Sequence, residues 1–297
     1  MWKIGLRPPP ASSTLPPADP HRKEHPVKQP DLISSLQNPL LKEVVKLRQR
    51  SHRDDRDLLV VEGYREVKRA LDNRIPVRRL FYCPELYQGK NEPTIVARCA
   101  ALGAPVHPCT APAFLKIAYR DRPEGLLALC PQIHRGLDEL PLSAAPFLVI
   151  GEHIEKPGNL GTMLRTADAA GADALVVCDR CTDLNNPNVV RASIGTLFTV
   201  PVAEATTPET LAWLKARGIR TLAASPHATR NYTEVDMTQP IAVVVGAEQF
   251  GLSDAWMTQA DDLVRIPMFG QADSLNVAAA ATILLYEVVR QRHPRGL

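Results

Sequence analysis

Three short segments of this chain set amide, carboxylate and guanidinium groups beside glycines, each next to a helical pattern or an apolar run. The first is Lys156-Pro157-Gly158-Asn159-Leu160-Gly161, which opens a helix carrying Arg165 six positions past Asn159. The second, Gly246-Ala247-Glu248-Gln249-Phe250-Gly251-Leu252-Ser253, follows the apolar run Ile241–Val245. The third, Ile266-Pro267-Met268-Phe269-Gly270, precedes Ser274-Leu275-Asn276-Val277 and a helix reaching Arg290. A helix N-terminus presents free N–H groups and a positive dipole end, so a loop laid against one collects ligands. Asn159 is expected to cap the first helix and Ser274 the last, with Asp273 favourable to the dipole and Asn276 in the first turn. Gly246 would let the backbone approach a ligand closely. Glu248 is either a loop-bracing acceptor or a contact to a ligand or a partner subunit. Three such loops point to a cofactor site at the C-terminal ends of strands.

Other chemistries find little support. The dinucleotide fingerprint G-x-G-x-x-G and the P-loop are both absent. Cys178-x-x-Cys181 stands without a second pair at metal spacing, and no metal is expected. His153 has no Ser/Asp or Cys partner for a hydrolytic triad.

The elements that must hold these loops alternate strictly. Strands are expected at 147–150, 174–177, 220–223, 241–245 and 263–266, and helices at 160–170, 188–197, 208–217 and 275–290. Apolar runs alternating with amphipathic helices imply a mostly parallel sheet covered on both faces. Residues 135–146 read as a linker. Upstream, Leu36, Leu40, Val44 and Leu47 recur at helical spacing after the start signal Asn38-Pro39. Short strands are expected at 58–61, 80–82, 106 and 126–129, with a helix at 65–71, so a smaller α/β module precedes the linker. Residues 1–30 hold eight prolines and few large apolar groups, and are expected to be a disordered tail.

The 297 residues are 45% apolar, with no run approaching the ~18 apolar residues of a membrane span. Six scattered cysteines and the absence of a secretory h-region make a reducing cytoplasm the expected compartment. The net charge of +3 hides an asymmetry: residues 1–150 hold 23 Lys/Arg against 16 Asp/Glu, residues 151–297 hold 12 against 16. A basic front half on an acidic back half fits a nucleic-acid docking module attached to a catalytic one. Lys46, Arg48, Arg50 and Arg53 form the basic run assigned to nucleic-acid contact, followed by Arg56. Aromatics at 5% disfavour a base-stacking platform.

Taken together, Asn159-Leu160-Gly161-Thr162-Met163-Leu164-Arg165-Thr166-Ala167, Gly246-Ala247-Glu248-Gln249-Phe250-Gly251-Leu252 and Ile266-Pro267-Met268 with Ser274-Leu275-Asn276-Val277 resemble the three ordered motifs of the SpoU/TrmH family. These are S-adenosylmethionine-dependent RNA ribose 2′-O-methyltransferases. The resemblance covers residues 141–297 closely. It extends more loosely over 31–134, where Ile33-Ser34-Ser35, Asn38-Pro39-Leu40 and Val61-Glu62-Gly63 are similar to the RNA-docking domain of the ribosomal-RNA branch. It implies a C-terminal trefoil knot and a homodimer with composite active sites. By position it implies that Gly246, Ile266, Met268 and Leu275 line the cofactor pocket. Arg165 matches the catalytic arginine, Asn159 its supporting asparagine, and Glu248, Ser274 and Asn276 the remaining polar residues. Glu124 stands where relatives often carry glutamine.

A guanidinium stays protonated, so Arg165 is expected to orient the 2′-hydroxyl or a phosphate and stabilise developing negative charge, with the proton acceptor open. The expected function is therefore methyl transfer to a ribose 2′-hydroxyl, with large ribosomal RNA favoured. The alternatives are a tRNA 2′-O-methyltransferase and a non-catalytic RNA-binding or ribosome-assembly protein of the same fold.

Overall fold

The computed structural model describes residues 31–293, so the expected tail over 1–30 lies outside the described residues. The Asn38 side chain accepts from the Leu40 amide at 2.9 Å, and Pro39 brings a preset φ to the first helical position. That helix, α1 (Pro39–Lys46), is followed by α2 (Arg50–Arg56), β1 (Leu58–Glu62), α3 (Tyr64–Asp72), β2 (Arg79–Tyr82), α4 (Glu92–Ala101), β3 (Val106–Pro108), α5 (Ala111–Ile117) and β4 (Leu126–Pro131). The strands lie in the order β1-β4-β2-β3, antiparallel except for β2 with β3. Leu41, Val44 and Leu47 form the buried stripe of the first helical segment. Leu36, expected in that stripe, is 46% exposed because the helix begins only after it. Successive strand residues alternate between faces. Val60, Phe81, Leu127 and Leu129 pack with the residues of α1 and α5, while Leu59, Val61, Leu80 and Ala128 pack with those of α3 and α4.

The second sheet comes from β5 (Phe147–Glu152), α6 (Pro157–Ala170), β6 (Ala174–Cys178), α7 (Pro187–Ala192), β7 (Val202–Ala205), α8 (Thr207–Ala216), β8 (Arg220–Ala224), β9 (Arg230–Asn231), β10 (Ile241–Val245), α9 (Asp254–Gln259), β11 (Asp262–Arg265) and α10 (Val277–Arg292). Its strand order is β7-β6-β5-β10-β8-β11-β9, and every pair runs parallel. Val149, Val177 and Val243 share a cluster with Met163, Leu164, Leu284 and Leu285 of α6 and α10. On the other face Leu148, Ile150 and Val244 share one with Trp213, Leu214 and Trp256 of α8 and α9. The expected parallel sheet with helices on both faces is thus present.

The helix expected over 188–197 is instead cut at Ala192. Ile194 and Gly195 take left-handed backbone angles, φ 52° and 76°. The turn presses on α3: a Cβ added to Gly195 would stand 3.0 Å from the Glu66 Cα, and the Arg69 guanidinium donates to the Ile194 carbonyl. A continued helix could not make this contact. One apolar cluster accordingly runs from Leu59 and Val61 through Val67 and Leu71 to Val189, Leu197 and Val243.

Candidate active site

From β5 the chain builds outward through β6 to β7, then returns to the opposite side with β8, and β10 is inserted between β5 and β8. The direction of winding therefore reverses at β5, and crevices at such reversals hold ligands beyond the strands' C-terminal ends. Because all strands are parallel, the loops after β5, β10 and β11 leave the sheet at this same edge.

Glu248 joins the three loops. Its Oε1 accepts from Asn159 Nδ2 at 3.0 Å and from Asn276 Nδ2 at 2.5 Å, and its Oε2 accepts from Lys156 Nζ. Asn276 Nδ2 also donates to Asn159 Oδ1 at 3.1 Å. The bond from Lys156, followed by that from Asn159, holds the Glu248 carboxyl below its ordinary value, while Glu248 holds the Lys156 ammonium above its own. Lys156 is a member that its residue type alone did not mark.

Two expected caps are corrected. The last helix starts at Val277, and its cap is Asn276, whose Oδ1 accepts from the Ala278 and Ala279 amides. Ser274 lies outside that helix and is exposed. The α6 helix starts at Pro157, whose fixed φ suits a first helical position, so Asn159 lies inside the first turn. Its side chain is thereby free to reach across to Glu248.

Gly246 is where the β10 loop folds back on itself. A Cβ there would stand 2.3 Å from the Gly251 carbonyl oxygen, so only glycine fits. Beneath the loop, Glu152 is fully buried and accepts from Ser253 N (2.7 Å), Ser253 Oγ (2.6 Å) and Thr207 Oγ1 (2.9 Å). This brace had a sequence signal, a carboxylate ending an apolar strand. Ile266 and Leu275 are half-buried on the third loop, whereas Met268 is 37% exposed and Phe269 97%. Arg165 is exposed on α6, and its side chain has no hydrogen bond among the described residues. The structure therefore brings Asn159, Glu248 and Asn276 together and leaves Arg165 and Ser274 outside their hydrogen-bond network. The Cys178 and Cys181 thiols have different surroundings. Cys178 is buried, its thiol pushed up to about 12 by desolvation, and Cys181 is exposed.

Comparison with known proteins bears on both halves. Residues 146–286 match the model of the SpoU rRNA Methylase family, and residues 38–128 match an MRM3-like substrate binding domain. A 23S rRNA (uridine(2479)-2′-O)-methyltransferase of Streptomyces viridochromogenes is 34% identical, over 78% of this chain and 83% of its own length. The chain belongs to the SpoU/TrmH family. A second relative, the 23S rRNA (guanosine(2553)-2′-O)-methyltransferase RlmP of Bacillus subtilis (strain 168), is 30% identical over 86% of this chain and 98% of its own. Among solved structures, an AdoMet-bound rRNA methyltransferase from Sinorhizobium meliloti superimposes with a TM-score of 0.81 at 32% identity, covering 89% of this chain and 98% of that one.

In this SpoU-family chain the four residues assigned to RNA contact have unlike surroundings. Lys46 is exposed. Arg50 is exposed and pairs with Asp54 at 3.3 Å. Arg48 donates to the Lys116 and Ala118 carbonyls and lies over the Tyr119 ring, so its guanidinium is tied to the fold. Arg53 must be corrected outright: it is 2% exposed. It donates to the Leu47 and Arg48 carbonyls beyond α1 and to Asp183 Oδ2 at 2.5 Å. A cation at the end of a helix, facing its free carbonyls, is drawn inward. Arg53 therefore ties α2 to the loop between β6 and α7.

Proposed function

We propose that this chain transfers a methyl group from S-adenosylmethionine to a ribose 2′-hydroxyl in RNA, with large ribosomal RNA rather than tRNA as substrate. The observation that carries this reading is the Glu248 network, which ties the three motif loops into one polar floor at the sheet's reversal edge. The family matches and the AdoMet-bound neighbour support the cofactor. The residues fit it. The tight Gly246–Gly251 fold and the half-buried Ile266 and Leu275 offer backbone polar groups and apolar contact at one edge.

When bound, the cofactor supplies an electrophilic sulfonium methyl. The protein's part is positioning, since a ribose oxygen must approach that carbon in line. Asn159 and Asn276, each fixed by Glu248, set the geometry of the floor. Arg165 has no competing acceptor among the described residues, so its guanidinium can hold the target nucleotide's phosphate or hydroxyl and stabilise charge developing on oxygen.

We further propose the knot and the homodimer. In support of the knot, β11 lies outside β8 while α10 packs on β10 and α6, so residues 266–276 must cross the strand ends. In support of the dimer, Phe250 and Phe269 are 78% and 97% exposed on two of the motif loops, where a second copy would cover them. The division into an RNA-binding module over 31–134 and a methyltransferase module over 147–297 belongs to the same reading.

The test is labelled methyl transfer from S-adenosylmethionine to unmodified 23S ribosomal RNA and to tRNA, followed by mapping of the 2′-O-methyl mark. Arg165→Ala should lose methyl transfer by at least about a hundredfold while calorimetry finds cofactor affinity retained. Full turnover in that variant would refute the catalytic role of Arg165. Cofactor binding without transfer to any RNA would refute the enzyme.

A further inference from the structure

A second recess lies away from the motif loops. It is a cavity of about 500 Å³ where the first module meets the second, lined by Tyr64, Arg65 and Glu66 of α3, the loop around Gly89, Glu92, Arg120, Glu124, and Arg191 and Ile194 at the end of α7. That volume lies within the ~300–1,000 Å³ range of small-molecule sites.

The charges in the recess divide into satisfied and unsatisfied groups. Arg120 is neutralised in place, donating to Glu66 at 2.5 Å and to Glu124 at 2.6 Å, and Glu124 also accepts from the Tyr64 amide. Arg65 and Arg191 differ. Each is exposed, they come from different helices, α3 and α7, and neither side chain has a hydrogen bond or ion pair among the described residues. Two guanidiniums lining one recess, each a planar fork of donors without an acceptor among the described residues, suit a phosphate. Glu92 is 3% exposed. Its Oε1 accepts from the Gln88 and Gly89 amides, while its Oε2 is buried without a partner among the described residues. Glu92 thus braces the Gln88–Gly89 loop that forms one wall of the recess.

The recess is also near the chemistry. Gly161, one turn before Arg165 on α6, packs so closely on Ala192 that a Cβ would stand 2.4 Å from the Ala192 Cβ. Ala192 follows Arg191 in sequence. The arginine wall of the cavity thus adjoins the crossing of α6 and α7.

We propose that this cavity holds an unstacked nucleotide of the RNA substrate near the methylated residue. Arg65 and Arg191 grip its phosphate, and the exposed polar wall of Gln88 and Asn91 lies against its base. The proposal rests on the RNA reading above and moves the RNA-contacting face from the Lys46–Arg53 run to the junction of the modules. Specific RNA recognition commonly splays single-stranded bases into such recesses.

The test uses the full-length protein with unmodified 23S ribosomal RNA transcribed in vitro. Affinity is measured as a function of salt, and KM and kcat of methyl transfer alongside. Arg65→Glu and Arg191→Glu should each weaken RNA binding about tenfold or more. The double substitution to alanine should flatten the slope of log affinity against log salt by between one and two contacts. KM for RNA should rise with kcat and cofactor affinity little changed, and Lys215→Glu, on α8, should leave all of these alone. Unchanged RNA affinity and slope in both charge reversals would overturn the proposal, even if the wild-type enzyme methylates RNA normally. A wild-type protein that binds RNA through Arg65 and Arg191 but transfers no methyl would overturn the enzymatic reading and leave the cavity standing.

Discussion

Asp183→Ala tests the most consequential rearrangement of the sequence-based picture. The Arg53–Asp183 pair is buried, with side chains 3% and 9% exposed and a separation of 2.5 Å. Removing the carboxylate leaves a guanidinium still bonded to the Leu47 and Arg48 carbonyls but without its counter-ion. Stripping one member from a buried ion pair costs about 3–5 kcal/mol, because the remaining charge stays desolvated. Asp183 Oδ1 also accepts from the Asn185 amide at 3.0 Å, and Asn185 in turn bonds the Ile133 amide and carbonyl before the linker. The loss therefore belongs at the upper end of that range. At roughly 2–4 °C per kcal/mol for a protein of this size, the melting midpoint should fall by about 8–20 °C. Differential scanning fluorimetry or calorimetry reads this directly. Arg53→Met, which removes the charge and keeps much of the volume, should be less damaging than Asp183→Ala. A shift below about 3 °C for Asp183→Ala would refute the argument, and would mean that water reaches the pair and that Arg53 is available to RNA.

Three further expectations follow from the same geometry. Gly246→Ala places a Cβ 2.3 Å from the Gly251 carbonyl oxygen, so the loop must open; cofactor affinity by calorimetry should fall at least about tenfold, and unchanged affinity would remove this loop from the pocket. Gly161→Ala puts a Cβ 2.4 Å from the Ala192 Cβ and 2.7 Å from the Ser193 amide, which should destabilise by about 1–3 kcal/mol and lower methyl transfer by shifting the helix that carries Arg165; wild-type melting would refute it. For the Glu248 network, the signs run in opposite directions. The carboxyl, lowered from 4.5, contributes above that value and loses its contribution as pH falls through its depressed folded value. The Lys156 ammonium, raised from 10.5, contributes below that value and loses its contribution as pH rises through its elevated folded value. The network should thus impose no break on the rate between about pH 5.5 and 9, and Glu248→Gln should lower kcat on the order of tenfold without moving the profile; a new break near neutrality in wild type assigned to Glu248 would refute this.

What could be read from sequence was whatever a residue does to its near neighbours. Asn38-Pro39 started a helix, and the run Ile241–Val245 became the central strand, because caps, preset φ angles and apolar runs act over a few positions. Asn159 and Glu248 were marked as chemical residues by their place beside glycines and Asn276 by its place at the start of the last helix, and the fold gathers all three. What escaped was decided across long separations. Asn159 was expected to cap its own helix, yet its amide serves a carboxylate 89 positions away. The helix expected to run to Leu197 yields at Ile194–Gly195 because α3, over a hundred residues earlier, presses on that turn.

The arginines follow the same logic. Arg53 and Arg65 are twelve positions apart in one basic module, and composition treats them alike. Desolvating a guanidinium is tolerated only where acceptors are fixed in advance, and Arg53 finds two carbonyls beyond α1 and the Asp183 carboxylate from the second module. Arg65, on the outer face of α3, finds none among the described residues and keeps its charge at the junction. Basic residues of this half therefore divide into cations tied inside the fold and cations left without an acceptor among the described residues. The division depends on which acceptors the fold brings within reach, so the proposed RNA-contacting face depends on how the two sheets and their helices pack together as well as on where basic residues fall in sequence.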